Sequence, residues 1–148
     1  MMLVEHVLDT ARGRLATLSC QSPVCDAAAI LVNASTPLVV VCDAEGVAVG
    51  VISRTDVLKA LSDAKDGVAA MTADAIMTRT MFSCHTHQIL HGVWETMRAQ
   101  SLRCAPILAE DGRPLGVLHA RDLASALLEE VTCEEVLLRD YVLGIGYQ

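Results

Sequence analysis

The sequence predicts an α+β fold with α/β-like alternation: two tandem β-α-β-β-α units, with a short helix at each end of the chain. The main observation is a duplication. The stretch Gly46–Leu61 returns 66 positions later as Gly112–Leu127, with Gly46/Gly112, Gly50/Gly116, Val51/Val117, Asp56/Asp122, Ala60/Ala126 and Leu61/Leu127 identical. A chain rich in Ala, Val and Leu inflates such matches, but that does not account for two glycines and an aspartate holding register. A second observation is local pattern: each copy reads as an acidic turn ending in Gly, an apolar strand, and a helix with an acid in its first turn. The third is size. A chain of 148 residues suits one compact domain in which two half-size repeats share a core, and with 53% apolar but only 3% aromatic residues that core must be built from Val, Leu, Ile and Ala.

Taken in order, Leu3, Val4, Val7, Leu8 and Ala11 fall at helical spacing and predict a short amphipathic helix over 2–12, closed near Gly13. The first unit spans 14–64. It opens with an extended segment, Leu15–Cys20, then a helix capped by Ser22 with Pro23 at its first position and running to about Asn33. Thr36-Pro37 ends that helix. Leu38–Cys42 is a buried strand, Asp43–Gly46 a hairpin turn and Val47–Ser53 the returning strand, followed by a helix from Thr55 to about Ala64 with Val57, Leu58 and Leu61 turned inward.

Residues 65–75 read as a linker of small and polar residues. The second unit, 76–130, repeats the order: Thr80–Cys84 extended, Thr86 as helix cap, a helix to about Gln100, a strand near Arg103–Leu108, the turn Glu110–Gly112, a strand Pro114–His119 and a helix from Arg121 or Asp122. Leu18-Ser-Cys20 matches Phe82-Ser-Cys84 at an offset of 64, so a difference of two residues is absorbed between the first helix and the strand. The extension 131–148 carries Val136, Leu137, Leu138, Tyr141 and Val142 at helical spacing and predicts a further helix over a core edge or a dimer contact.

Composition excludes some functions. A net charge of −7 and scarce aromatics argue against nucleic-acid binding, which needs clustered cations and stacking platforms. They leave room for one phosphorylated small molecule. The six cysteines lack CxxC spacing and read as reduced, mostly core residues. No apolar run is long enough to span a bilayer, and Glu5 and Asp9 interrupt the N-terminal apolar residues, so a cytoplasmic protein without membrane association is expected. The apolar surplus points to a second subunit.

The order β-α-β-β-α twice, the linker Asp74-Ala-Ile-Met-Thr78 and the motif Gly50-Val-Ile-Ser-Arg-Thr-Asp56 resemble the CBS domain family. Its cystathionine-β-synthase-type repeats pair, with pseudo-two-fold symmetry, into a Bateman module. The resemblance covers roughly residues 14–130. It implies a regulatory module that binds an adenosine-containing ligand (AMP, ADP, ATP or S-adenosylmethionine) in the cleft between repeats. It further implies a flat homodimer, and action in trans on an unidentified protein, with no catalytic cofactor.

Carried over by position, Ser53 would meet phosphate, Asp56 the ribose hydroxyls, Val51 and Ile52 would form the apolar wall, and Thr17, Leu18 and Ser19 would supply backbone contacts. In the second copy Asp122 is kept, but His119 stands where a hydroxyl is expected; it would donate to phosphate more strongly when protonated, or mark a degenerate half-site. Arg54, Arg121 and Arg79 are candidates to add positive charge.

Plainer readings stand beside these. Asp56 and Asp122 read equally as helix-capping acids, and Ser53 as an ordinary strand end. The module would then be a ligand-free dimerisation scaffold. A separate cluster, Cys84-His-Thr-His-Gln-Ile-Leu-His91, places His87 and His91 four apart, the helical spacing at which two imidazoles reach one metal, with Cys84 or His85 as a third ligand. The alternative is a solvated helix start. No nucleophile stands with a base and orienter at recognisable spacing, so no enzymatic activity is expected.

Overall fold

The structure, a computed structural model, describes residues 1–146. Each repeat is built on a β-hairpin. In the first, Leu38–Cys42 (β2) pairs antiparallel with Ala48–Ser53 (β3), and in the second Cys104–Leu108 (β4) pairs with Pro114–His119 (β5). Gly46 and Gly112 take φ +84° and +86° at the turns, a conformation that costs an L side chain about 1–2 kcal/mol. Both hairpins carry an irregularity at the same place, between Val41 and Cys42 and between Ile107 and Leu108. The duplication is therefore faithful down to the register.

The extended segment Thr17–Ser19 (β1) adds parallel to β2 and gives a sheet of order β1-β2-β3. Its counterpart in the second half is only a parallel bridge between Cys84 and Ile107, so Thr80–Cys84 is irregular rather than a full strand.

Strand β2 is buried at every position, because its two faces meet two different partners. Val39 and Val41 pack with Ile52 against Ala27, Leu31 and Val57 of the helices, while Leu38, Val40 and Cys42 meet Val117 of the other repeat. The second repeat has its own helical core around Leu90, Val93, Met97, Ile107, Leu118 and Leu123. Full burial of one such side chain contributes about 1.5–3 kcal/mol, so a continuous apolar strand at the repeat interface is what joins the halves.

The segment before each repeat belongs to the core of the other. Val4, in a 3₁₀ turn at Val4–Val7, and Ala11, in helix Leu8–Gly13 (α1), are buried in the second repeat's core; Ala73, in the short helix Ala73–Ile76 (α4), is buried in the first repeat's. The backbone bonds repeat the exchange. Val4 N–H donates to Gln88 O, and Leu90 N–H to Met2 O, as Ala73 N–H donates to Ser22 O, and Val24 N–H to Met71 O.

This exchange explains where the helices begin. Helix Val24–Leu31 (α2) starts after Pro23 rather than at it, because Ser22 and Val24 are bonded to the linker. Helix Leu90–Ala99 (α5) starts at Leu90, four residues beyond the expected cap at Thr86, whose carbonyl instead accepts Glu5 N–H.

The stretch read as a bare linker contains a 3₁₀ turn at Lys65–Ala70 and α4, with Val68 and Ala73 buried. In helix Arg54–Ala64 (α3) the inward face is Val57 and Ala60; Leu58 and Leu61, expected inside, are 64% and 48% exposed. Val57 and Ala60 stand three apart on one side, and Leu58 and Leu61 form the adjacent stripe that faces away from the core. The last helix, Ala120–Gly146 (α6), runs continuously through the two helical segments read from the sequence. Leu138 on it is 65% exposed, whereas the surroundings of Val136, Leu137, Tyr141 and Val142 lie outside the described residues.

Candidate functional site

At the end of the repeat interface away from the hairpin turns, β3 passes into α3 and β5 into α6. Ser53 is the N-cap of α3: its Oγ accepts Asp56 N–H at 3.3 Å. In return Asp56 Oδ2 accepts Ser53 N–H at 2.8 Å and the Ser53 hydroxyl at 3.1 Å. The plain reading of Asp56 as a capping acid is therefore physically real. It uses one carboxylate oxygen only. Oδ1 accepts no hydrogen bond among the described residues, and Asp56 lines a cleft of about 350 Å³ together with Lys59, Met71, Met77 and Thr78.

The second junction is built differently. With His119 in place of a hydroxyl, the ring Nδ1 accepts Arg121 N–H at 3.1 Å, which leaves the proton of the neutral ring on Nε2. Asp122 is gripped side-on by Arg14, with Nε to Oδ2 at 2.6 Å and Nη2 to Oδ1 at 3.1 Å. Such a two-point guanidinium–carboxylate pair is among the stronger charge-assisted contacts.

Between the junctions lies a pocket of about 570 Å³ to which both repeats contribute. Ser53, Arg54 and Thr55 face it from one side, His119 and Arg121 from the other, and Leu38 and Cys104 at the strand ends line it together with Arg103 and Arg14. Four of the chain's eleven Lys and Arg residues thus meet in one pocket of a protein with net charge −7. Arg54 is fixed at the end of α2, where it donates to the carbonyls of Leu31 at 2.8 Å, Asn33 at 2.9 Å and Thr36 at 3.3 Å; these contacts orient the guanidinium without neutralising it. Arg103 and Arg121 form no ion pair among the described residues.

The field of this pocket is visible in its titrating groups. Burial lowers the His119 pKa below its ordinary value, and Arg14, Arg121 and Arg103 lower it further against the opposing pull of Asp122. The imidazole is therefore neutral at pH 7, and a protonated donor there, one of the roles expected from sequence, is disfavoured. Burial also holds the Cys104 thiol up at about 11, outweighing the nearby arginines, so it carries no thiolate at neutral pH.

Not all residues expected at the site come together. Thr17, Leu18 and Ser19 form β1, on the far edge of the sheet from β3; the segment that meets β3 at Val51 is Thr78, through Val51 N–H to Thr78 O at 3.1 Å and Thr78 N–H to Val51 O at 2.8 Å. Ile52 is completely buried in the first core and Val51 sits at the repeat interface. Arg79 is exposed and does not line the pocket.

Arg14, Arg103 and Thr55 do line it, and the sequence reading missed them. Arg103 precedes β4 inside the second unit, at the position matching Pro37 before β2, whereas Arg14 follows Gly13 at the start of the first unit; neither belongs to the duplicated Gly46–Leu61 motif, so the repeat gave no signal for them.

The metal alternative is not assembled. His87 lies in the turn before α5 and His91 within it, so the helical spacing that would unite them is absent. His91 Nδ1 is 3.4 Å from Glu95, and His85 Nδ1 is 3.0 Å from Leu108 O. The Cys84 thiol is buried against Pro106 O, with its pKa raised by burial to about 12. No cluster of three or more His, Cys, Asp or Glu residues suited to a metal occurs among the described residues. Nor is any helix among them long and apolar enough to cross a membrane.

A search of the curated proteins finds no match. Among solved structures, a CBS-domain containing protein from Agrobacterium tumefaciens matches with a TM-score of 0.71 and 26% identity, over 84% of this chain and 98% of that one. The CBS domain pair of protein MJ0100, in complex with 5′-methylthioadenosine and S-adenosyl-L-methionine, matches with a TM-score of 0.73 and 23% identity, over 88% and 98%. CBSX2 in complex with AMP matches with a TM-score of 0.73 and 22% identity, over 87% and 98%. The family model described as CBS domain matches twice, at residues 4–63 and 73–129, and both matches begin within the segments that dock on the opposite repeat. The chain belongs to the CBS domain family and consists largely of one pair of its repeats.

Proposed function

We propose that the chain is a regulatory module that senses an adenosine-containing ligand in the cleft between its repeats and acts in trans on a partner, without catalysis of its own. The observation that carries this reading is the arginine-lined pocket shared by both β-α junctions. Two structural relatives were solved with adenosine ligands, one with 5′-methylthioadenosine and S-adenosyl-L-methionine and one with AMP, which supports the adenosine part.

The charge favours AMP, ADP or ATP over S-adenosylmethionine, since the sulfonium adds a cation to a pocket already holding the guanidiniums of Arg54, Arg103 and Arg121, which no carboxylate offsets among the described residues. The ribose would lie on Asp56 Oδ1, in the cleft of about 350 Å³, with the phosphate passing over the α3 N-terminus into the arginine-lined pocket toward Ser53, Arg54, Arg103 and Arg121. Because Ser53–Thr55 and His119–Arg121 come from opposite repeats, a ligand touching both favours one relative placement of the halves. The shift is limited to its difference in affinity for the two placements.

A homodimer is part of the proposal. Leu58, Leu61, Leu128, Val131 and Leu138 are all exposed, and they give α3 and α6 apolar surface for a second copy.

The test is calorimetric titration of ligand-free protein with AMP, ADP, ATP and S-adenosylmethionine, repeated on Arg121→Ala. Saturable binding of the phosphorylated ligands, weakened about 5- to 10-fold by the substitution and by added salt, supports the reading. Silence across the panel overturns it.

A further inference from the structure

We infer that the chain's own N-terminal arm closes the second half of the cleft, so that each chain takes a single nucleotide, at the Asp56 half; this rests on the nucleotide reading above. Two positions that the duplication makes equivalent are in different states.

Asp56 and Asp122 both sit in the first turn of the helix that follows a repeat's last strand. Asp56 keeps Oδ1 free of hydrogen bonds among the described residues and lines a cleft of about 350 Å³. Asp122 has both oxygens engaged side-on by Arg14, at 2.6 and 3.1 Å, so a diol making the same two-point contact would have to displace the guanidinium.

Arg14 is delivered by an anchored segment. It is the C-cap residue of α1, and Ala11 of that helix lies so close to Gly116 that a Cβ added to the glycine would meet Ala11 atoms at 2.8–2.9 Å. Further back, Val4 and Met2 are bonded to Gln88 and Leu90. In the first half the corresponding contact to Gly50 is made by Met77 and Thr78, and three residues beyond Met77, where Arg14 stands beyond Ala11, the chain has the uncharged Thr80. The asymmetry therefore lies in the arm, and the second carboxylate is retained but occupied.

The experiment is a calorimetric titration with ATP that reads stoichiometry on the full chain, wild type and Arg14→Ala, with Arg14→Gln as a second variant should the alanine form fold poorly. About one ATP per chain for the wild type and about two after removal of the guanidinium is the expected result, and the added Asp122→Ala substitution should return the number to one. Loss of a pocket arginine alone would change affinity and leave the stoichiometry at one. Two sites in the wild type, or one site still after Arg14 is replaced, overturns the closure. No ATP binding by any form overturns the nucleotide reading, and the closure with it.

Discussion

Asp56 holds two jobs in one carboxylate, and substitution separates them. Asp56→Ala removes the acceptor for Ser53 N–H and for the Ser53 hydroxyl at the start of α3. The Ser53 Oγ bond to the backbone N–H of position 56 remains, so half a reciprocal cap is lost, at about 0.5–1 kcal/mol, and loss of an acid from the positive end of the helix costs about 0.3–1 kcal/mol more. A total near 1–2 kcal/mol lowers Tm by about 3–6 °C in a domain of this size. Binding should fall by about 10- to 150-fold, corresponding to lost hydrogen bonds to a charged acceptor worth about 1.5–3 kcal/mol.

Asp56→Asn keeps an oxygen for Ser53, so most of the stability should return while the ligand still binds more weakly than to the wild type. Thermal melts and titrations on the two variants measure both quantities. Asn destabilising as much as Ala, or both variants binding nucleotide as tightly as the wild type, would refute the double role of Asp56.

His119 predicts a pH dependence with a definite sign. Its folded pKa lies below that of the unfolded chain, so the stability it contributes is present above about pH 6.5 and is lost as pH falls through that region; His119→Gln should flatten this part of the pH–stability profile. Gly116→Ala should destabilise more than Gly50→Ala, by about 1–3 kcal/mol in denaturant titrations, because the new methyl meets Ala11 backbone in one case and chiefly the movable Met77 side chain in the other. Equal losses would show that the arm yields as readily as a methionine. Leu128→Glu should convert a dimer to monomer in sedimentation velocity with little change in fold, and an unchanged mass would exclude that face from the contact.

The duplication makes the hairpins, the glycine turns and the two acid-bearing helix starts legible in the sequence, because each depends on local chemistry: apolar alternation, a left-handed turn residue and a cap. What escapes the sequence is long-range. Nothing local in Leu3–Val4 or Thr72–Ala73 says that each segment docks on the opposite repeat, yet this exchange moves the start of α5 from Thr86 to Leu90 and brings Thr78, in place of Thr17–Ser19, against β3.

The same exchange puts Arg14 on Asp122 across 108 positions of sequence, a pairing no spacing rule reveals. Leu58 and Leu61 depart from expectation for a different reason. Helical periodicity identifies an apolar stripe but not which of two adjacent stripes meets the core, and on α3 the smaller residues Val57 and Ala60 take the inside.

The most direct test of nucleotide sensing in the shared cleft is a crystal structure of the chain grown with ATP. Phosphates among Arg54, Arg103 and Arg121, with the ribose on Asp56 and Arg14 still held by Asp122, are the predicted result. Nucleotide away from both Asp56 and these arginines, or ribose on Asp122 with Arg14 displaced and nothing bound at Asp56, would contradict it.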